Sequence, residues 1–316
     1  MKKRFLLGIQ VITMILGISI VGCGISNGAE KNDDPADKPG KNESKVDKIF
    51  KYLETEDFIL PEGFDKRIGE VSYGAIAEKT YFSATTGANR KCNVYTPPNF
   101  DPSKTYPVLY LLHGIGGTHS EWTGGAPNEI ISNLIAIEKA PAMIVVIPNV
   151  RAMANDSVPS NPYSAEAVVA FNNFINDLRD DLMPFIEENY RVSNKREDRA
   201  IAGLSMGGME TLFIGVSIPE VFGHIGAFSS APGLFNRTQP FSEANMTLPF
   251  EYRDDTFIMV CCGKQDNLIS NSVNYNAAFV NNKIRTFYYE VDGGHDFGFW
   301  KHGLYYFIKC IFWQPS

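Results

Sequence analysis

Ser205 stands in the stretch A-I-A-G-L-S-M-G-G over 200–208, where Gly203-Leu204-Ser205-Met206-Gly207 matches the G-x-S-x-G nucleophile elbow, with a strand-like apolar run before it and a helix-like apolar run after it. A serine hydroxyl attacks a carbonyl only when a base takes its proton, a carboxylate orients that base, and N–H groups hold the oxyanion that forms. The two glycines fit a sharp strand-to-helix turn, where side chains at those positions would collide with the backbone. Three histidines follow the elbow: His224, His295 and His302. His224 opens an apolar strand-like run and His302 falls inside the last helical segment, so both read as structural. His295, in D-G-G-H-D-F, sits in a loop after a strand-like run, where flanking glycines let the imidazole reach inward. That makes it the candidate base. The candidate acid is Asp266, near the tip of G-K-Q-D-N, which follows the apolar run 256–262. Asp292 and Asp296 lie too close to His295 in sequence to bond its ring without an unusual turn. Asp254 and Asp255 precede their strand and belong at its wrong end.

The N–H of Met206 is one expected oxyanion donor, because the elbow directs the amide of the residue after the serine. A second is expected from His113-Gly114-Ile115-Gly116-Gly117, from the N–H of Ile115 or its neighbour, with His113 itself shaping the loop by hydrogen bonds. Aromatic residues near these loops are candidates for a substrate wall: Trp122, Trp300 and Tyr163, with Phe297 and Phe299 beside them. The competing reading for each is ordinary core packing. No GxGxxG or Walker pattern and no Cys/His cluster with zinc spacing is present, so neither a nucleotide cofactor nor a metal is implied.

The elements needed to position such residues are legible as alternating apolar runs. Strands are predicted over 68–82, 91–96, 107–112, 143–147, 199–202, 224–228, 256–262 and 285–291. Helices are predicted over 126–138, along 171–186 as one long helix kinked at Pro184, and over 209–217, 272–281 and 300–312. Strand–helix alternation of this length predicts an α/β fold with a mostly parallel central sheet covered by helices on both faces, its ligands at the carboxyl ends of the strands. The loop-rich stretch 231–255 is expected to form a lid or one wall of a pocket.

At 316 residues, with a net charge of −7 and a pI near 5.3, the chain has no basic block beyond its first residues, which argues against a nucleic-acid partner. Lys2-Lys3-Arg4 precedes an almost wholly apolar run over 5–21, and Ile20-Val21-Gly22-Cys23 resembles the bacterial lipobox. The expectation is a signal peptide over 1–22, then a lipid-modified Cys23 leading a flexible tether to residue 45. A catalytic domain over 46–316 would then be exported and held to the membrane by its lipid. Buried free thiols are the expected state of Cys92, Cys261, Cys262 and Cys310, with one disulfide left open as the alternative.

With these residues in place the chain resembles the carbohydrate esterases of the feruloyl esterase and acetyl xylan esterase type, in the esterase D-like branch of the α/β-hydrolases. The resemblance runs from about residue 89 to 312 and is carried by N-V-Y-T-P-P-N-F (93–100), Y-P-V-L-Y-L-L-H-G-I-G-G (106–117), the elbow (200–208), C-G-K-Q-D-N-L-I (262–269) and G-G-H-D-F-G-F-W (293–300). It implies an α/β-hydrolase fold, Ser205 as nucleophile, Asp266 as acid, His295 as base, no metal or other cofactor, and acyl transfer to water. The implied substrate is a feruloyl or acetyl ester on plant polysaccharide such as xylan. The alternatives are another acyl ester, such as a glycan or peptidoglycan O-acetyl group or a siderophore ester, and a non-catalytic binding protein on a hydrolase scaffold. Oligomeric state is not readable from the sequence.

Overall fold

A computed structural model describes residues 43–233 and 243–312. The expected signal peptide, Cys23 and most of the tether lie outside the described residues, as does the 234–242 part of the loop-rich stretch. The described part opens on a helix start signal: Ser44 Oγ accepts the Asp47 N–H at 3.0 Å while the Asp47 carboxylate accepts the Ser44 N–H at 3.1 Å. This capping box opens α1 (Lys45–Glu54).

There follow the hairpin β1 (Ala75–Ser83) and β2 (Ala88–Thr96), then β3 (Val108–Leu112), α2 (Pro127–Ala136), β4 (Ile144–Pro148), α3 (Ala165–Asp177) and α4 (Met183–Asn189). The second half runs β5 (Arg199–Leu204), α5 (Met206–Ser217), β6 (His224–Phe228), the short α6 (Phe250–Arg253), β7 (Phe257–Gly263), α7 (Ile269–Asn281), β8 (Phe287–Val291) and α8 (Phe297–Cys310). The eight strands form one sheet in the order β1-β2-β4-β3-β5-β6-β7-β8. β1 and β2 are antiparallel, β2 is antiparallel to β4, and the remaining pairs are parallel. This is the expected mostly parallel α/β-hydrolase sheet.

Continuous apolar runs are what a strand covered on both faces requires. In β3, Val108, Tyr110 and Leu112 join a cluster with Phe171, Phe174, Leu212, Ile214 and Phe279, from α3, α5 and α7. Leu109 and Leu111 point the other way, into a cluster with Phe50, Ile130, Leu134, Leu304 and Phe307, from α1, α2 and α8. The period of two along each strand thus sorts the helices into two layers. At the leading ends of β5, β6 and β7, Ser44, Lys45, Arg196, Glu197, His224 and Asp255 line one cavity.

Three of the boundaries that differ from expectation bear on how the site is held. The first strand begins at Ala75, not residue 68, because the Ile68 N–H is donated to the Tyr73 hydroxyl (2.6 Å), which in turn donates to Asn133. That closes 68–73 into a loop. The long helix is interrupted by a π turn, Leu178–Leu182, rather than merely bent at Pro184. Pro184 sits in the first turn of α4, where a missing N–H is harmless. The wider turn brings Asp177 to Tyr81 and Arg90 (2.7 and 2.8 Å) and Asp181 to the amides of Ala84 and Thr85 (both 3.0 Å), pinning the β1–β2 hairpin to the helix layer. Finally, α5 begins at Met206, directly after the serine. The free-thiol expectation holds for the described cysteines: Cys92, Cys261, Cys262 and Cys310 are all buried and unpaired.

Candidate active site

The turn between β5 and α5 forces Ser205 to φ 53°, ψ −117°, a conformation an L-residue adopts only when its surroundings over-determine it. The glycines supply those surroundings. A Cβ at Gly203 would lie 2.5 Å from Gly207 backbone atoms, and one at Gly207 would lie 2.5 Å from the His113 carbonyl oxygen and 2.7 Å from that of Leu112. The helix start is therefore pressed directly against the end of β3. Backbone bonds from Ser205 N–H to Phe228 (2.9 Å) and from Ala231 N–H to Ser205 (2.9 Å) tie the turn to the end of β6.

The structure brings the three predicted side chains together at the carboxyl ends of the strands. The Ser205 Oγ–H donates to His295 Nε2 at 2.9 Å, and His295 Nδ1–H donates to Asp266 Oδ2 at 2.8 Å. Asp266 is 3% exposed, and its other oxygen accepts the Leu268 N–H at 2.7 Å. Burial pushes the Asp266 carboxyl upward, but the Leu268 N–H, the Ser229 hydroxyl and His295 outweigh it and hold the group below the usual carboxylate range. It stays ionised, as a partner for an imidazolium must be. Ser229, buried at the end of β6 with φ 49°, is a support that sequence reading missed. Its only signal is its place one residue past a strand whose neighbour carries the acid. The rival carboxylates have other duties, Asp296 capping α8 through the Gly298 N–H (2.7 Å) and Asp292 facing Gln265. His224 and His302 donate to the carbonyls of Glu197 (3.1 Å) and Phe58 (2.8 Å), as structural histidines do.

The loop after β3 is fixed atom by atom. Val150 N–H donates to His113 Nε2 (2.8 Å), so the proton lies on Nδ1, which donates to the Gly114 carbonyl at 2.6 Å. Burial pushes this imidazole down to about 3, which keeps it neutral and the tautomer fixed. Gly117 N–H donates to the same carbonyl at 3.1 Å, closing a turn over 114–117. The Gly114 N–H is taken by Glu121 Oε2 at 2.6 Å, and the Ile115 carbonyl accepts from Arg151 Nη1 at 3.3 Å. In a trans peptide the C=O and the following N–H point opposite ways. With the Gly114 carbonyl held inward, the Ile115 N–H is directed outward, and it has no acceptor among the described residues. Met206 N–H, at the first position of α5, is one of the donors a helix N-terminus leaves unpaired.

The proposed aromatic wall needs correction. Trp122 is fully buried, its Nε1–H donating to the Leu112 carbonyl at 2.9 Å, with Phe228 and Phe297 edge-on to its ring. It is a core anchor, because the 3₁₀ turn Glu121–Gly125 folds it under the loop instead of over the serine. Trp300 is 9% exposed and meets the His295 ring edge-to-face at a centroid distance of 5.1 Å, so it braces the imidazole. Tyr163 is 67% exposed and makes no ring contact with the serine, histidine and aspartate. Phe299 is buried in the core, and Phe297 packs between Trp122 and Trp300.

Comparison with known proteins gives concordant matches. The Esterase family model matches residues 83–307. An endo-1,4-β-xylanase/feruloyl esterase of Xylanibacter ruminicola is 32% identical over 207 residues, covering 63% of this chain and 26% of that one. Endo-1,4-β-xylanase Y of Acetivibrio thermocellus is 28% identical over 156 residues, covering 46% of this chain and 13% of that one. The matched stretches are thus about a quarter or less of those relatives. Among solved structures, a ferulic acid esterase of Anaeromyces mucronatus in complex with ferulic acid superposes with a TM-score of 0.74 at 29% identity, covering 81% of this chain and 97% of that one.

Proposed function

The chain belongs to the Esterase family, and from that premise we propose that it is a serine carboxylesterase that removes feruloyl or acetyl groups from plant cell-wall polysaccharide such as xylan. The observation that carries the chemistry is the continuous hydrogen-bonded chain Ser205–His295–Asp266. In this reading His295 Nε2 takes the Ser205 proton as Oγ attacks the ester carbonyl, and Asp266 holds the tautomer and stabilises the imidazolium. The N–H groups of Met206 and Ile115 receive the oxyanion, a role in which one donor is worth about 3 kcal/mol in the transition state. His295 then protonates the departing sugar alcohol, leaving the acyl group on Ser205. Water attacks the acyl-enzyme by the same steps in reverse and releases the acid. The names of the xylanase relative and the ferulic acid complex favour a hydroxycinnamoyl acyl group.

The N-terminal reading extends this proposal: cleavage before Cys23 and lipid modification of that cysteine would hold the esterase outside the cytoplasm, where polymeric substrate is found. Purified protein assayed on methyl ferulate, acetylated xylan and p-nitrophenyl acetate tests the activity. Turnover that disappears in Ser205→Ala at unchanged melting temperature is expected, and inactivity on all three substrates refutes the proposal. Metabolic labelling with a fatty-acid analogue that is lost in Cys23→Ala tests the anchor.

A further inference from the structure

Glu121 is a half-buried carboxylate close to the reacting serine that the mechanism above does not use. Its Oε2 accepts the Gly114 N–H at 2.6 Å. A Cβ placed on Gly114 would lie 3.5 Å from that oxygen and 3.4 Å from the Ser205 Cβ, so the peptide that Glu121 grips packs directly on the nucleophile. A Cβ placed on Gly117 would lie 2.4 Å from the same oxygen, so the carboxylate occupies the space a side chain would need there. The backbone of Glu121 is itself fixed on both sides. Its N–H donates to the Thr118 carbonyl (3.0 Å), and the next residue is Trp122, locked in the core through the Leu112 carbonyl.

We infer that Glu121 is a positioning residue for the oxyanion loop, its carboxylate holding the 114–117 turn in the pose that leaves the Ile115 N–H free for the substrate oxygen. This inference rests on the esterase reading of Ser205. The loop offers four amides. Glu121 takes that of Gly114 and the turn takes that of Gly117, leaving those of Ile115 and Gly116 at its tip. His113 holds the Gly114 carbonyl and Arg151 the Ile115 carbonyl. With Glu121 gone, the first peptide of the turn is held only through its neighbours, and it can rotate about the end of β3. The Ile115 N–H then moves with it. Asp266 already occupies His295 Nδ1, so Glu121 is not a second triad acid. Burial raises its carboxyl overall, and the Gly114 N–H, Arg151 and His295 offset only part of that rise, consistent with a side chain lying between the loop and the imidazole.

A displaced oxyanion donor impairs the transition state more than the ground state, so the effect belongs in kcat. In Glu121→Ala, kcat on p-nitrophenyl acetate is expected to fall about 10- to 100-fold with KM within about twofold, since misplacement on the 1 Å scale carries penalties of that size. Glu121→Gln, whose amide oxygen can still accept the Gly114 N–H, is expected to recover kcat to within about threefold of the wild type. Should Glu121→Ala fail to fold, Glu121→Asp, which withdraws the carboxylate by one methylene, replaces it with the same expected split. Labelling of Ser205 by a fluorophosphonate, which forms a tetrahedral adduct in the same hole, should slow in parallel with kcat. Wild-type kcat in a folded Glu121→Ala protein, or a Glu121→Gln protein as impaired as Glu121→Ala, overturns this inference alone. A wild type that neither labels nor turns over ester removes the esterase reading and this inference with it.

Discussion

Glu210 offers a sharp test of the electrostatics behind the elbow. It lies on α5 just past the first turn from Ser205, fully buried, and neither carboxyl oxygen has a partner among the described residues. Burial pushes its carboxyl up to about 8 from an ordinary 4.5. Between these values the folded domain holds a neutral acid that the unfolded chain ionises, so folding takes up a proton. A raised folded-state value contributes stability in full below the unfolded value, and that stability is lost as pH rises toward the folded one. At about 1.4 kcal/mol per pH unit, the loss between about pH 5 and 8 is on the order of 4 kcal/mol, a large part of a typical domain's 5–15 kcal/mol. Glu210→Gln removes the titration while keeping shape and polarity. Urea unfolding of both proteins at about pH 5, 6.5, 8 and 9 isolates the term, because every other group cancels in the difference. The two proteins should be nearly equal at the lowest pH, with the variant gaining steadily to about pH 8 and no further gain beyond. Stability curves that stay parallel across the range would refute the claim that this carboxyl is neutral in the fold.

Three further outcomes are expected. Asp266→Asn should leave the melting temperature near that of the wild type and lower kcat by about 10³-fold or more, because an amide can favour the wrong imidazole tautomer; a pre-steady-state assay on p-nitrophenyl acetate reads it. Gly207→Ala should destabilise the fold by more than about 3 kcal/mol, since its Cβ would stand 2.5 Å from a carbonyl oxygen, whereas Gly116→Ala, with open space around the new methyl, should melt within a few degrees of the wild type. A thiol reagent should leave Cys92, Cys261, Cys262 and Cys310 unmodified in the folded protein and modify all four in denaturant without reductant, because all four are buried as free thiols.

What the sequence made legible was the chemistry whose geometry is local. The elbow is readable because the strain at Ser205 demands small residues at fixed offsets, and those residues are written as Gly203 and Gly207. His295 and Asp266 are readable because a parallel sheet places the loops after successive strands side by side. Arrangements decided by packing were not readable. Trp122 has the composition and position of a wall residue, yet one turn of 3₁₀ helix puts it beneath the loop. Glu121, its neighbour, carries no pattern beyond a lone acidic residue, and its role emerges only from the distance to Gly114. The π turn at Leu178–Leu182 escaped for a related reason. Spacings of three and four mark an apolar face equally well with or without one extra residue in the turn.

The cavity lined by Ser44, Lys45, Arg196, Glu197, His224 and Asp255 lies at the leading end of the sheet, where α1 begins. β5 starts there and ends at Leu204, next to Ser205, and its six residues span about 20 Å. Ser44 and Lys45 thus lie at the pole of the sheet opposite Ser205. The cavity shares no lining residue with the Ser205–His295–Asp266 chain, so a substitution at Arg196 or Glu197 alters one end of the strands without touching the groups at the other.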